Sequence, residues 1–324
     1  MSITAPIPTA CWSVRQGGRV IYLCPWNGAS GGIQVLYEHV RLLRRAGVQA
    51  MLGAPGAFRR CSWFANDPVE TPAIANCLAG LTDADILVVP EIAVGATELE
   101  GLPGRRLAFV QNPGLLRGSL RGYVGVVVPT PVLIPWLQRR AGQAPPVAVV
   151  PGFLHEDLLR PFRRFTLERP RILIVDRPDK HRGEPAEVRA QLVRRGMAVT
   201  CVDRSLSRRD FTALFASHDI YLHLSYPEGF PISILEAFGA GCLVIGFAGC
   251  GGLEFMHNAV NCCVVPDGCV AEVVERLELV LRVPRAGLDG MLASAWATAQ
   301  RYGESSAAAA LARILPNDGG PVVP

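Results

Sequence analysis

The chain reads as an α/β protein built from two doubly wound, parallel-sheet domains. Three observations predict this. Short apolar runs recur along the sequence, each followed by a turn and then by a stretch of helical periodicity, as in successive βαβ units. The 324 residues are enough for two separate cores. Between two such series lies residues 151–170, a proline-interrupted segment with paired arginines and no apolar period, which reads as a linker.

Residues 1–17 read as a loose tail. Arg19–Cys24 (RVIYLC) is the first buried strand, followed by the loop Pro25–Gly32 (PWNGASGG). An amphipathic helix over Ile33–Ala46 is closed by Gly47, and a second strand spans Val48–Leu52. Ala84–Val89, Arg106–Val110 and Tyr123–Val128 repeat the strand signal, and Pro131–Arg140 fits an amphipathic helix. Together these give an N-terminal Rossmann-like domain over 18–150. A second domain over 171–302 opens with strand RILIVD. Helix Pro185–Arg195, strand Met197–Val202, helix Arg209–Ser217 and strand Ile220–Leu224 follow. Pro231 is placed in the first turn of a helix that ends at Gly241, because proline lacks a donor and glycine tolerates positive φ. Strand Cys242–Phe247 and a glycine-rich turn, Gly249–Gly252, come next. Val270–Arg282 and Leu288–Tyr302 are helices, and 303–324 reads as an alanine-rich tail that frays.

Composition excludes several classes. Half the residues are apolar and 19% are charged, which argues against disorder and coiled coil. No apolar run reaches the roughly 20 residues of a membrane span. The first residues lack a basic block followed by an apolar one, so they do not read as a secretion signal. Ten scattered cysteines without a CxxC pair read as reduced thiols of a cytosolic protein. A net charge of +4 does not call for nucleic acid. Of 32 basic residues 31 are arginine, and the single lysine, Lys180, follows a strand end.

The stretch Tyr226–Glu254 (YPEGFPISILEAFGAGCLVIGFAGCGGLE) carries the functional signal. Its helix start offers unpaired N–H groups and a positive dipole to an anion, while Glu228 and Glu236 can accept hydrogen bonds from hydroxyls. Phosphate donors beside hydroxyl acceptors describe a pocket for a nucleotide sugar. Arg177 and Lys180, in RPDKHRG after strand RILIVD, are cations able to neutralise a diphosphate. Ligands of such sheets lie outside the carboxyl ends of the strands. In the N-terminal half, Gly28, Gly31 and Gly32 permit close approach of backbone to ligand. The loop is not G-x-G-x-x-G, and no acid ends the second strand (VQAMLG), which counts against an NAD enzyme. Asp83 and Asp85 precede their strand and read as a strand-opening turn, whereas Glu91, Gln111 and Asn112 end strands and are acceptor-side candidates. The histidines show no metal-ligand spacing.

The EGF-P-I-S-I-LEA-F-G-A-G pattern over Tyr226–Gly246 resembles the retaining glycosyltransferases of the GT-B fold, in particular the family 4-like group with its E-x7-E signature. The resemblance implies two Rossmann-like domains facing across a cleft, and transfer of a sugar from a nucleotide-diphosphate sugar with retention and without a metal or other cofactor. It implies that Glu228 meets the donor sugar and Glu236 the ribose. It gives Arg177 and Lys180 the diphosphate, with Arg182 as a stand-in for one of them. Gly229, Phe230, Pro231 and Ile232 line the donor, Gly251 and Gly252 lend it backbone amides, Glu254 caps the next helix, and Gly31 and Gly32 lie near donor and acceptor. Pro231 stands where the family has glycine, and Gln111 or Asn112 near where many relatives have histidine. The implied acceptor is a glycan, a lipid-linked sugar or a small molecule, and the implied location is the cytoplasm. Paired arginines read as solvated faces; Trp136 with Arg139 and Arg140 would suit a peripheral contact with an anionic membrane. The rival readings are a non-catalytic nucleotide-sugar-binding protein of the same fold, and a phosphorylase or epimerase.

Overall fold

The computed structural model describes residues 10–26, 28, 30–55, 69–141, 145–154, 158–159, 169–204 and 206–317. The chain divides into two compact units, residues 1–152 with 305–324 and residues 153–304. The expected linker 151–170 lies mostly outside the described residues.

The first unit holds a six-stranded parallel sheet. Its strands are β1 (Val20–Leu23), β2 (Ala50–Gly53), β3 (Ile86–Pro90), β4 (Arg105–Phe109), β5 (Gly125–Val128) and β6 (Val147–Val149), in the order β2-β1-β3-β4-β5-β6. β1, β3 and β5 are buried throughout, as sheets covered on both faces require. Helix α1 (Gly31–Arg45) returns the chain from β1 to β2. The short α2 (Ile74–Ala79) and α3 (Ile134–Ala141) follow. The second unit has β7 (Ile172–Val175), β8 (Val199–Val202), β9 (Ile220–His223), β10 (Leu243–Phe247) and β11 (Cys263–Val265), ordered β11-β10-β9-β7-β8 and again all parallel. Its helices are α4 (Glu184–Arg194), α5 (Arg208–Ser217), α6 (Ile232–Gly239), α7 (Val270–Val280) and α8 (Arg285–Arg301). One apolar cluster unites β7, β9 and β10 with α4 and α7, and another unites the opposite sheet face with α6 and α8. In each sheet the strand order reverses once, between β1 and β3 and between β7 and β9, so each unit has a switch point at the carboxyl ends of those strands. Among the described residues no helix is long and apolar enough to cross a membrane.

Both expected tails differ from the sequence reading. Residues 304–314 form α9 (Glu304–Ile314), which buries Ala307, Ala310, Leu311 and Ile314. Residues 10–17 are held beside it, with the Trp12 and Val14 amides donating to Ile314 O and Pro316 O at 2.7 Å. The Trp12 ring packs directly on Gly125, where any Cβ would collide with it. Pro231 is the N-cap residue of α6, one position before the helix, and not a member of the first turn.

Candidate functional site

In the second unit, the loops after β7 and β9 meet at the switch point. After β7 the chain makes a single 3-10 turn, Pro178–Lys180, opened by proline and closed by a 2.7 Å bond from the Lys180 amide to Arg177 O. The Lys180 carbonyl accepts from the Tyr226 amide at 2.7 Å, so this turn is tied to the loop that carries Glu228. Lys180 Nζ then donates to Glu228 Oε2 at 2.6 Å. Their side chains are 24% and 14% exposed, partly shielded yet open to solvent. Arg177 is more exposed and lies 3.7 Å from Asp179.

Glu236 sits in α6, buried, eight residues after Glu228 in sequence. The Tyr221 hydroxyl donates to Ser233 Oγ at 3.2 Å. Burial pushes the phenol above its ordinary pKa, and the nearby charges of Glu236 and Glu228 add to that while Arg177 opposes it. The charges of Glu228, Glu236 and Arg177 all bear on this one buried hydroxyl, and Lys180 is bonded to the first of them. On the same strand, His223 is buried and its Nδ1 bonds Phe247 O at 2.7 Å. The carbonyl accepts, so the proton is on Nδ1. Desolvation holds the imidazole below its ordinary pKa although the carbonyl and Glu228 favour the cation. His223 is the last residue of β9, at the carboxyl edge of the sheet. Tyr226 donates to Glu184 Oε1, and Glu184 also accepts from the Arg182 amide at 2.5 Å. Burial would raise the Glu184 carboxyl, and these hydrogen bonds outweigh it and hold it low. His181 accepts from the Gly183 amide on Nδ1 at 3.0 Å and so donates from Nε2 to Asp176 at 2.6 Å, leaving neither nitrogen for a ligand.

Several expected donor contacts take other roles. The Gly251 amide donates to Glu228 O at 2.9 Å and the Gly252 amide to Ala248 O at 3.0 Å, so the turn holds the Glu228 loop in place instead of offering those amides to a ligand. Glycine is needed at 251 because the Gly229 carbonyl occupies the space of a Cβ. Asp267 caps the same turn at the Gly249 amide, 3.1 Å. Glu254 hydrogen-bonds Tyr302 and does not cap a helix. Phe230 turns into the core against Phe255 and Tyr302, with ring centroids 5.5 and 6.1 Å away. Pro231 is buried and Ile232 half-buried beside it.

In the first unit, the acceptor-side candidates gather at the other switch point. Ser30 caps α1 by accepting from the Ile33 amide at 3.3 Å, so Gly31 and Gly32 form the first helical turn. Gln111 Nε2 donates to Gly32 O at 3.2 Å, and Glu91, buried at the end of β3, accepts from the Asn112 amide at 2.9 Å. Asp85, as expected of a strand-opening residue, is structural: it accepts from the Arg19 amide at 2.7 Å and from its guanidinium at 2.7 and 3.1 Å. In α3, Arg140 lies over the Trp136 ring at 5.4 Å and donates to Leu116 O at 3.0 Å, and both Arg139 and Arg140 are exposed. Among the described residues no three His, Cys, Asp or Glu side chains converge as metal ligands.

Residues 156–292 match the family model of glycosyl transferases group 1. No curated protein matches the chain by sequence. Among solved structures, HepE from Anabaena in complex with UDP-glucose aligns with a TM-score of 0.71 and 14% identity, over 91% of this chain and 98% of that one. Sucrose-phosphate synthase from Thermosynechococcus elongatus aligns with a TM-score of 0.68 and 13% identity, over 90% and 96%. A glycosyltransferase from Rickettsia africae aligns with a TM-score of 0.66 and 14% identity, over 94% and 100%. The fold is the GT-B fold of these proteins, and the second unit carries the group 1 sequence pattern.

Proposed function

We propose that this chain is a glycosyltransferase that moves a sugar from a nucleotide-diphosphate sugar to a glycan, lipid-linked or small-molecule acceptor, with retention at the anomeric carbon and without a metal, as in the family 4-like group. The observation that carries the proposal is the Lys180–Glu228 pair spanning the β7/β9 switch point. It puts a cation and a carboxylate side by side, as a diphosphate and the sugar it bears require. When the bond to the diphosphate breaks, negative charge grows on the leaving group and positive charge on the ring. Lys180 and Arg177 would stabilise the first, worth roughly 1.5–3 kcal/mol per charge-assisted hydrogen bond before solvent screening. Glu228 would accept from the sugar hydroxyls and fix the anomeric carbon toward the acceptor. Glu236 would accept from the ribose diol. For this, the phosphate must displace Glu228 from Lys180. The bound UDP-glucose of HepE supports uridine donors as the first to try. A cytoplasmic enzyme using a lipid-linked acceptor would meet an anionic membrane through Trp136, Arg139 and Arg140, which sedimentation with anionic liposomes tests.

Lys180 is the only lysine, so an amine-directed reagent addresses it and the chain's amino terminus alone. Reductive labelling with pyridoxal phosphate, mapped by peptide mass, is expected to mark Lys180 and abolish donor turnover. UDP, GDP, dTDP or ADP, whichever the site takes, should protect it. Labelling of Lys180 that no nucleoside diphosphate slows would overturn the reading.

A further inference from the structure

Two large apolar side chains stand exposed at the carboxyl edge of the first sheet, where globular surfaces bury such groups if they can. Trp26, 42% exposed, follows β1, and Ile92, 40% exposed, follows β3. These strands flank the first unit's switch point. Trp26 itself is held: Cys24 Sγ donates to Trp26 O at 3.2 Å, and the indole edge lies over Gly28, 3.2–3.3 Å from where a Cβ would be. Cross-links join the other loops of this edge. Gln111 ties the β4 loop to the start of α1 through Gly32 O, and Glu91 ties the β3 loop to the β4 loop through the Asn112 amide. The polar side chains at these cross-links, Ser30, Glu91, Gln111 and Asn112, bring one negative charge and no positive one.

From this placement we infer that the edge of the first unit is a sugar-binding subsite in which Trp26 is the platform for a neutral pyranose. An aromatic face carries negative quadrupole density and attracts the polarised C–H bonds on one face of a sugar ring, while amide and carboxylate groups suit the hydroxyls at its rim. The absence of a cation from the cross-linked group disfavours a phosphorylated polyol. The inference rests on the transferase reading and names the class of its acceptor: a glycan or glycoside that presents an unphosphorylated ring. Trp26 is a specificity-determining residue in this account and has no part in bond breaking.

Saturation-transfer NMR with the full chain tests it, using methyl α- and β-glycosides of glucose, galactose and mannose, with glycerol 3-phosphate as the phosphorylated comparison. At least one glycoside should receive saturation, strongest on the C–H protons of one ring face. Trp26→Ala should weaken that binding roughly tenfold, the scale of one aromatic contact, and Trp26→Phe should retain part of it. Thermal stabilisation by a nucleoside diphosphate, read on the same variants, should not change and shows that they are folded. The inference is overturned if Trp26→Ala binds glycosides like the parent, or if only glycerol 3-phosphate binds. Failure of the transferase reading looks different: no nucleotide or nucleotide sugar binds the parent chain, whatever the glycosides do.

Discussion

Glu228 and Lys180 neutralise each other, so removing one has the opposite effect on nucleotide binding from removing the other. In Lys180→Ala the diphosphate loses a charge-assisted hydrogen bond and Glu228 is left to repel it. Its nucleoside-diphosphate affinity should fall about tenfold or more, from a bond of roughly 1.5–3 kcal/mol. Glu228→Ala frees Lys180, so affinity for the diphosphate should hold or rise while turnover falls. Glu236→Ala should lose nucleotide affinity, since that buried carboxylate, carried by α6, would accept from the ribose diol. Calorimetric titration and initial rates on the three variants separate these roles. Equal weakening of nucleotide binding by both glutamate changes would refute the division between them.

Both sheets are clamped at their amino ends by the same device. Arg19, just before β1, is held by Asp85 just before β3; Arg171, just before β7, is held by Asp219 just before β9. In each case the aspartate takes the arginine amide and its guanidinium, locking together the two strands whose other ends form the switch point. Burial pushes the Asp85 carboxyl up, but the bonds from Arg19 and Thr82 prevail and hold it below its ordinary value. Asp85→Ala should cost about 2–3 kcal/mol, because it strands a buried amide and a mostly shielded guanidinium. Asp219→Ala should cost less, about 1–2 kcal/mol, since Arg171 is 54% exposed and water replaces part of its bond. Urea unfolding of each variant measures this, and equal losses would show that exposure of the arginine does not set the cost. None of this was legible from sequence. The partners lie 66 and 48 residues apart, and local periodicity carries no trace of such a pairing. What the sequence does show is local: apolar strands such as β3 and β10, the glycine ending α6 at Gly241, and the two glutamates a fixed interval apart. The short β6 and β11 escaped notice because three residues show no period. The tail that became α9 was alanine-rich, so its apolar stripe is faint until the Trp12 segment packs beside it.

At the scale of the whole chain, each unit buries a histidine whose pKa is lowered, His39 in the first and His223 in the second, which makes overall stability depend on pH in a window set by imidazoles. His39, in α1, has no exposure; it meets the Tyr22 hydroxyl at 3.3 Å and packs against Phe109. Desolvation pushes it down to about 3, against a small opposing pull from Glu38. His223 in β9 is lowered for the same first reason. With the folded pKa below the unfolded value of about 6.5, the unfolded chain binds a proton that the folded chain refuses. Stability is therefore whole above about pH 6.5 and is lost as pH falls below it, at up to about 1.4 kcal/mol per pH unit for each ring. Asp85 and Glu184 are lowered as well, but their contribution stands until pH drops below about 4, the unfolded carboxylate range, and is lost only from there. The two windows can be separated. Chemical unfolding between pH 7 and 4.5 should show stability declining with acid in the parent chain. His39→Gln, which keeps a polar group for Tyr22 but cannot titrate, should remove that decline for the first unit, and His223→Gln should do so for the second. A decline that survives both changes, or one that begins only below pH 4.5, would mean that the carboxylates alone govern acid sensitivity and that the buried imidazoles admit a proton without unfolding.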